Sequence, residues 1–347
     1  MEPNHKDLHY KPSWVDRFNS WAETVPVNVW IFYTVLGIVL ILFQIFFLWV
    51  DRGLYANELL PVIIFNGFAV PFLLAMVYLL DNQAMEALNA MKPMLEMSET
   101  EYDDYKYRLS NMPFLVPLIA GLAMVVFVLL MERFFTTPIR YTALEQLPVF
   151  TVVFFIVDKG SAFLVGVFLY HNIRQLRLVN AINSHHTRIN LFNMRHLHAF
   201  SRLTASTAVG FLFFLYLWML INPELFADPA IFGLIVVMTI LAVLIFGWPL
   251  WGVHRLLVME KEMSLDEIDH NFEVVFSKFN QKIHDNDYVA TERLSRTITS
   301  LEIQQKRIND IPTWPWRSET ARLLLTSIAL PIVLMIIQYI VLQALDR

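Results

Sequence analysis

The sequence predicts an all-α polytopic membrane protein. It would have seven transmembrane helices, its N-terminus in the cytoplasm, its C-terminus outside, and helical extensions into the cytoplasm. Three observations carry this reading. The chain is 56% hydrophobic and only 16% charged, against roughly a quarter charged in a soluble domain. Its mean hydropathy of +0.50 makes lipid the solvent for much of it. Seven apolar runs, 27–50, 59–80, 114–131, 148–170, 203–221, 230–251 and 323–345, each fall within the range of about 17 to 25 residues that spans a bilayer.

Lys and Arg orient the runs. Lys6, Lys11 and Arg17 precede the first. Lys92, Lys106 and Arg108 follow the second, and Arg174, Arg177, Arg188, Arg195 and Arg202 follow the fourth. Nine more lie between Arg255 and Arg317, whereas the opposite side holds only Arg52, Arg133, Arg140 and Arg347. Basic loops stay in the cytoplasm, which sets the two chain ends on opposite faces. The net charge of -5 leaves no nucleic-acid footprint, and the absence of cysteine excludes disulfides and thiolate chemistry.

Taken in order, residues 1–26 form an N-terminal interfacial segment. Ser13 and Asp16 fit a capping box, and Trp14, Phe18 and Trp21 recur at helical spacing, so a short helix anchored in the headgroup region is expected. The first apolar run starts only near Val27, after a mixed-charge lead with no small-residue cleavage site behind it, so no cleavable signal peptide is expected. Residues 27–251 form a six-span bundle. Its second span carries Asn66-Gly67 and Pro71, a polar middle suited to helix packing or to a pathway. The loop 81–113 is acidic and rich in methionine, and Ser98 with Glu101 fits a second capping box.

The fourth span holds Asp158-Lys159 midway along an apolar run. Charges there face an interior or a water path, at a cost of a few kcal/mol. Neighbours on a helix point about 100° apart, so each is expected to find its partner on another helix. The apolar pattern continues through Ile173, Leu176, Val179 and Ile182. This projects spans four and five into the cytoplasm as a hairpin near 171–202. Its histidines, His171, His185, His186, His196 and His198, lack metal-ligand spacing, and no metal or cofactor is expected.

Residues 252–320 form a cytoplasmic helical hairpin and a Trp-Pro-Trp linker. Ser264 with Glu267 fits a helix start. Leu265, Ile268, Phe272, Val275 and Phe279 alternate at three and four, a coiled-coil-like seam, and Leu294, Ile298, Leu301 and Ile308 repeat it. Gln305 interrupts that second seam and would fix its register, while His284-Asp285-Asn286-Asp287 breaks the helix between the two. These nine apolar residues are the candidate assembly surface. Residues 321–347 form the seventh span, whose Ser327 and Gln338, with Asp158, Lys159 and Asn66, are the candidate pathway or gating residues.

This order of spans, with a helical cytoplasmic insert before the last, is similar to that of insect-type chemoreceptor channels. Those carry a Thr-Tyr…Gln-Phe motif in the last span. Gln338-Tyr339 matches its end, while Pro331-Ile332 stands where its start belongs. The resemblance is of topology, and it implies a homo-oligomeric ion channel in the cell membrane. A membrane scaffold or sensor subunit binding a cytoplasmic partner is the alternative, followed by a transporter. No catalytic motif is present, so an enzyme ranks last.

Overall fold

The computed structural model describes residues 10–51, 56–134, 147–185, 197–221 and 229–314, together with residue 144 and isolated helical positions beyond 314. Among the described residues the fold is all-helical. Its order is α1 (Trp14–Thr24), α2 (Val29–Val50), α3 (Ala56–Met91), a 3-10 turn (Lys92–Met94), α4 (Glu99–Ser110), α5 (Leu115–Phe134), α6 (Pro148–His185), α7 (Leu197–Ile221), α8 (Pro229–His284) and α9 (Tyr288–Asn309). Five segments are long and apolar enough to cross a bilayer: Val29–Val50, Leu59–Met94, Leu115–Arg133, Pro148–Ile182 and Arg202–Ile221. This is a membrane protein by the length and composition of its helices. The sixth apolar run opens α8, where Val237, Ile240 and Leu244 are exposed and most other side chains lie outside the described residues. The seventh run also lies outside them, apart from its isolated helical positions.

Burial divides these helices by role. α3 is the most enclosed: Leu59, Ile63, Leu73, Leu80, Leu88 and Met91 are all fully buried, and α2, α6 and α7 pack around it. α2 and α5 turn broad apolar faces outward, including Ile31, Val35, Leu42, Phe46, Leu115, Ile119, Val126 and Leu130. Such faces are stable only where the surroundings are apolar too, which is what lipid supplies. Small residues set the closest crossings. A Cβ on Gly67 would lie 2.4 Å from Ile41 Cγ1, and one on Gly166 would lie 2.4 Å from the Ala120 carbonyl oxygen.

α1 forms as its cap predicts. The Ser13 amide donates to Asp16 Oδ2 at 2.9 Å, and the Asp16 amide donates to Ser13 Oγ at 3.3 Å. α1 is also docked on the bundle. Val15, Asp16, Asn19 and Ala22 are buried against the bundle, Trp14 and Phe18 pack onto the core, and Trp21 alone of the aromatic trio stays exposed. Asn19 Nδ2 donates to the Leu74 carbonyl at 3.4 Å and accepts at Oδ1 from the Tyr33 hydroxyl at 2.8 Å. Beside Trp14 and Phe18, the helix is docked by Asp16, Asn19 and Ala22, small and polar residues that a search for large apolar spacings passes over. α4 opens on the Ser98–Glu101 capping box, and Met91 is buried beneath this loop.

α8 corrects a boundary. Ser264 starts no helix, because α8 runs unbroken from Pro229 to His284. Its 56 residues extend about 84 Å, well over twice a bilayer core. Pro249 lies within it, as prolines near membrane spans are tolerated. The break falls at Asp285–Asp287, where Asn286 adopts φ 58° and Asp287 caps α9. α9 returns antiparallel along α8.

Candidate functional site

The hairpin brings the two apolar seams together. Leu265, Phe272, Val275, Phe279, Leu294, Ile298 and Leu301 are half-buried and Ile268 and Ile308 buried, while Val274 and Phe276 beside the first seam are exposed. Ile268 and Ile308 are buried, and both belong to the main core. Gln305 Nε2 donates to Asp269 Oδ1 at 2.8 Å across the pair, so the polar seam position is satisfied between the helices. At the base of the hairpin Lys261 Nζ donates to the carbonyls of Asn309 at 2.7 Å and Ile311 at 3.0 Å. A cation there meets the negative end of α9. His254 stacks flat on Trp314, with centroids 4.0 Å apart and 5° between planes, and its Nδ1 lies 3.0 Å from the Thr313 carbonyl. The chain leading toward the last apolar run is thus fastened to α8.

Asp158 and Lys159 sit on α6 opposite the end of α5. Lys159 is 8% exposed, and its Nζ bonds both Asp158 Oδ2, at 2.8 Å, and Glu132 Oε1. Its ammonium also lies 5.4 Å from the centre of the Phe155 ring. The expectation that sequence neighbours cannot pair is overturned. The four-carbon stem of lysine folds back along the helix and brings its head to the adjacent carboxylate, while also reaching Glu132. The group has two carboxylates for one cation and so a formal excess of one negative charge. Asp51 acts at the N-terminal end of α6, accepting the Phe150 amide at 2.6 Å; a carboxylate at a helix N-terminus is favourable.

Asn66 is 2% exposed, beside the Gly67 crossing, and its Nδ2 has no hydrogen-bond partner. The structure does not bring it to Lys159 through any hydrogen bond or ion pair. Ser327 and Gln338 lie outside the described residues, as do the side chains of His185, His186, His196 and His198. No group of three or more His, Asp or Glu able to hold a metal occurs among the described residues.

A second polar cluster went unread in the sequence. At the far end of α6, His171 Nε2 lies 3.3 Å from Asp81 Oδ1 on α3, and both are enclosed. Gln175 Nε2 lies within 3.4 Å of Asp81 Oδ1 and of the Leu80 carbonyl, and 3.3 Å from that of Leu109. Arg174 donates to the Tyr10 hydroxyl, which itself donates to the Asn111 carbonyl at 2.6 Å. Asp16 Oδ2 accepts the Met112 amide at 2.8 Å, tying α1 to the start of α5. Burial pushes the Tyr10 hydroxyl up to about 12, although the Arg174 charge opposes it. Burial likewise raises the Asp16 carboxyl above its ordinary value, against the hydrogen bonds from Met112 and Ser13. The signal was His171, Arg174 and Gln175 at i, i+3 and i+4, a polar face on a helix read for its apolar one.

Compared with known protein families, characterised proteins and solved structures, the chain matches none.

Proposed function

We propose that this chain is a subunit of a homo-oligomeric ion channel in the cell membrane. It crosses seven times, with its N-terminus in the cytoplasm and its C-terminus outside. The last apolar run contributes to a shared pore, with Ser327 and Gln338 on it, and α8 with α9 forms a cytoplasmic, coiled-coil-like assembly region. One observation carries this reading. α8 is a single rod that starts in an apolar run, continues for 56 residues, and is fastened through Lys261, His254 and Trp314 to the chain entering the last run. Motion of the hairpin is therefore passed to the final span without a flexible joint on α8. The charge-rich group of Asp158, Lys159 and Glu132 supports a pathway for cations, since its formal balance is negative.

The purified chain in planar bilayers tests this. A channel gives single-channel currents and a detergent-corrected mass of several copies, and Asp158→Asn changes unitary conductance. A folded preparation with one copy per particle and no current at any voltage overturns the reading. It would leave a scaffold whose hairpin binds a cytoplasmic partner, favoured by the exposed apolar residues Ile283, Tyr288 and Val289 near the hairpin tip.

A further inference from the structure

The cluster of Asp81, His171 and Arg174 is unbalanced. Two carboxylates, Asp81 on α3 and Asp16 on α1, share one enclosed guanidinium, that of Arg174. Asp16 Oδ1, Arg174 Nη1 and both ring nitrogens of His171 are buried without a hydrogen-bond partner. An unpaired buried charge is costly, and a buried polar atom left unbonded costs about 1–3 kcal/mol. One added proton removes the excess charge. Held on Asp81 Oδ1 and donated to His171 Nε2, it turns the 3.3 Å approach into a hydrogen bond and brings the formal balance of the group to zero. The other groups facing the pair are fixed in sign or neutral. They are Arg174 and Tyr170 on α6, Asp16 on α1, Tyr33 on α2, and Tyr10 backed by Tyr107 and Arg108 of α4. None of them takes up the proton in place of the pair, because Asp16 is kept as the carboxylate by the Ser13 and Met112 amides, so Asp81 with His171 is the group left to hold it.

We propose that Asp81 and His171 form a buried proton-binding site whose occupancy sets how firmly α1 is seated on the bundle. The proton comes from water on the side that α1 and α4 cover and bonds to Asp81 Oδ1, which donates it to His171 Nε2; nothing else is consumed or released. When it leaves, the Asp81 carboxylate is no longer offset and repels Asp16, whose other oxygen holds the start of α5 through Met112. α1 then loosens. The seating of α1 on α3, through Asn19 and Ala22, is the contact that yields. Only the compartment whose pH is sensed depends on the proposed topology; the site itself does not.

The chain has no cysteine, so a single introduced thiol reports on one place. Ala22→Cys puts it under α1, where the residue is 0% exposed, and Ser20→Cys puts it on the exposed side of the same helix. Full-length protein in nanodiscs is labelled with a maleimide from pH 5.5 to 8.5. The Ala22→Cys rate is divided by the Ser20→Cys rate, which cancels the ordinary ionisation of a thiol. The ratio is expected to rise across one step, approaching about tenfold per pH unit at its steepest, the limit for one coupled proton. Asp81→Asn should hold it at the low-pH level throughout, and His171→Gln should remove the step. A flat ratio in the parent protein, or a step retained in both variants, overturns the proposal. If Ala22→Cys does not fold, the same comparison is read from the pH slope of the thermal midpoint in the cysteine-free protein. Labelling in nanodiscs does not depend on conduction, so a silent channel and a failed proton site remain distinguishable.

Discussion

Gly160 and Gly166 lie on one helix, six residues apart, and the same substitution should act on them with opposite sign. An alanine Cβ at position 166 would stand 2.4 Å from the Ala120 carbonyl oxygen and 2.7 Å from Met124 Cβ. The nearer atom is backbone, so no side chain can rotate away, and α5 must retreat by roughly 1 Å to restore ordinary contact. Overpacking costs about 1–3 kcal/mol, and the gain in helix propensity returns up to about 1 kcal/mol. A net loss of up to about 2 kcal/mol is expected for Gly166→Ala once that gain is taken off. At position 160 nothing lies within 4 Å of the added carbon, so only the propensity gain remains. Gly160→Ala should therefore be neutral or stabilising by up to about 1 kcal/mol. Unfolding of the purified chain in detergent, followed by tryptophan fluorescence, gives both values side by side. Equal stability of the two variants, or a loss larger at 160 than at 166, would refute the close packing of α5 on α6.

Other outcomes follow from the polar contacts. Lys159→Met leaves Glu132 and Asp158 facing each other without a cation and should cost about 2–4 kcal/mol, since the lysine is buried though its partners are not wholly so. Glu132→Gln, which leaves Lys159 its contact with Asp158, should cost less than about 1 kcal/mol, and the double variant should recover part of the larger loss in the same unfolding assay. Tyr10 stays neutral in the folded chain up to about 12, whereas its unfolded value is 10.0. Its contribution is thus fully present below pH 10 and is lost as pH rises through 12, so thermal midpoints from pH 8 to 11 should fall more steeply for the parent than for Tyr10→Phe. Asp287→Ala removes the cap whose Oδ1 accepts the Ala290 amide at 3.1 Å. It should weaken the start of α9 by about 1 kcal/mol, seen as faster amide exchange over its first turn.

Local rules read from the sequence were met where a short contact decides structure. Ser13 with Asp16 and Ser98 with Glu101 each close a box within four residues, and Asp285–Asp287 ends α8 where the apolar seam stops. Ser264 misled because the same box pattern occurs inside a helix whose preceding turns are already formed. There the amide it would cap has a carbonyl partner, and nothing is gained by stopping. Lys159 was recognised as unusual, but its partner Glu132 is 27 residues away and depends on how α5 lies against α6. That register is set by Gly121 and Gly166, not by any feature near the charge. The cluster of Asp81, His171 and Arg174 is assembled from two separate helices, α3 and α6, with Asp16 of α1 beside it. Periodicity describes one helix at a time and does not reveal which polar faces will meet.

The central claim is an odd number of crossings that sets the two chain ends on opposite sides of the bilayer. Single cysteines at Lys11 and Arg347, in a chain that has none, can be challenged with an impermeant maleimide on intact cells and again after permeabilisation. The account predicts labelling of position 347 from outside and of position 11 only after the membrane is opened. Labelling of both from outside, or of neither, would contradict it.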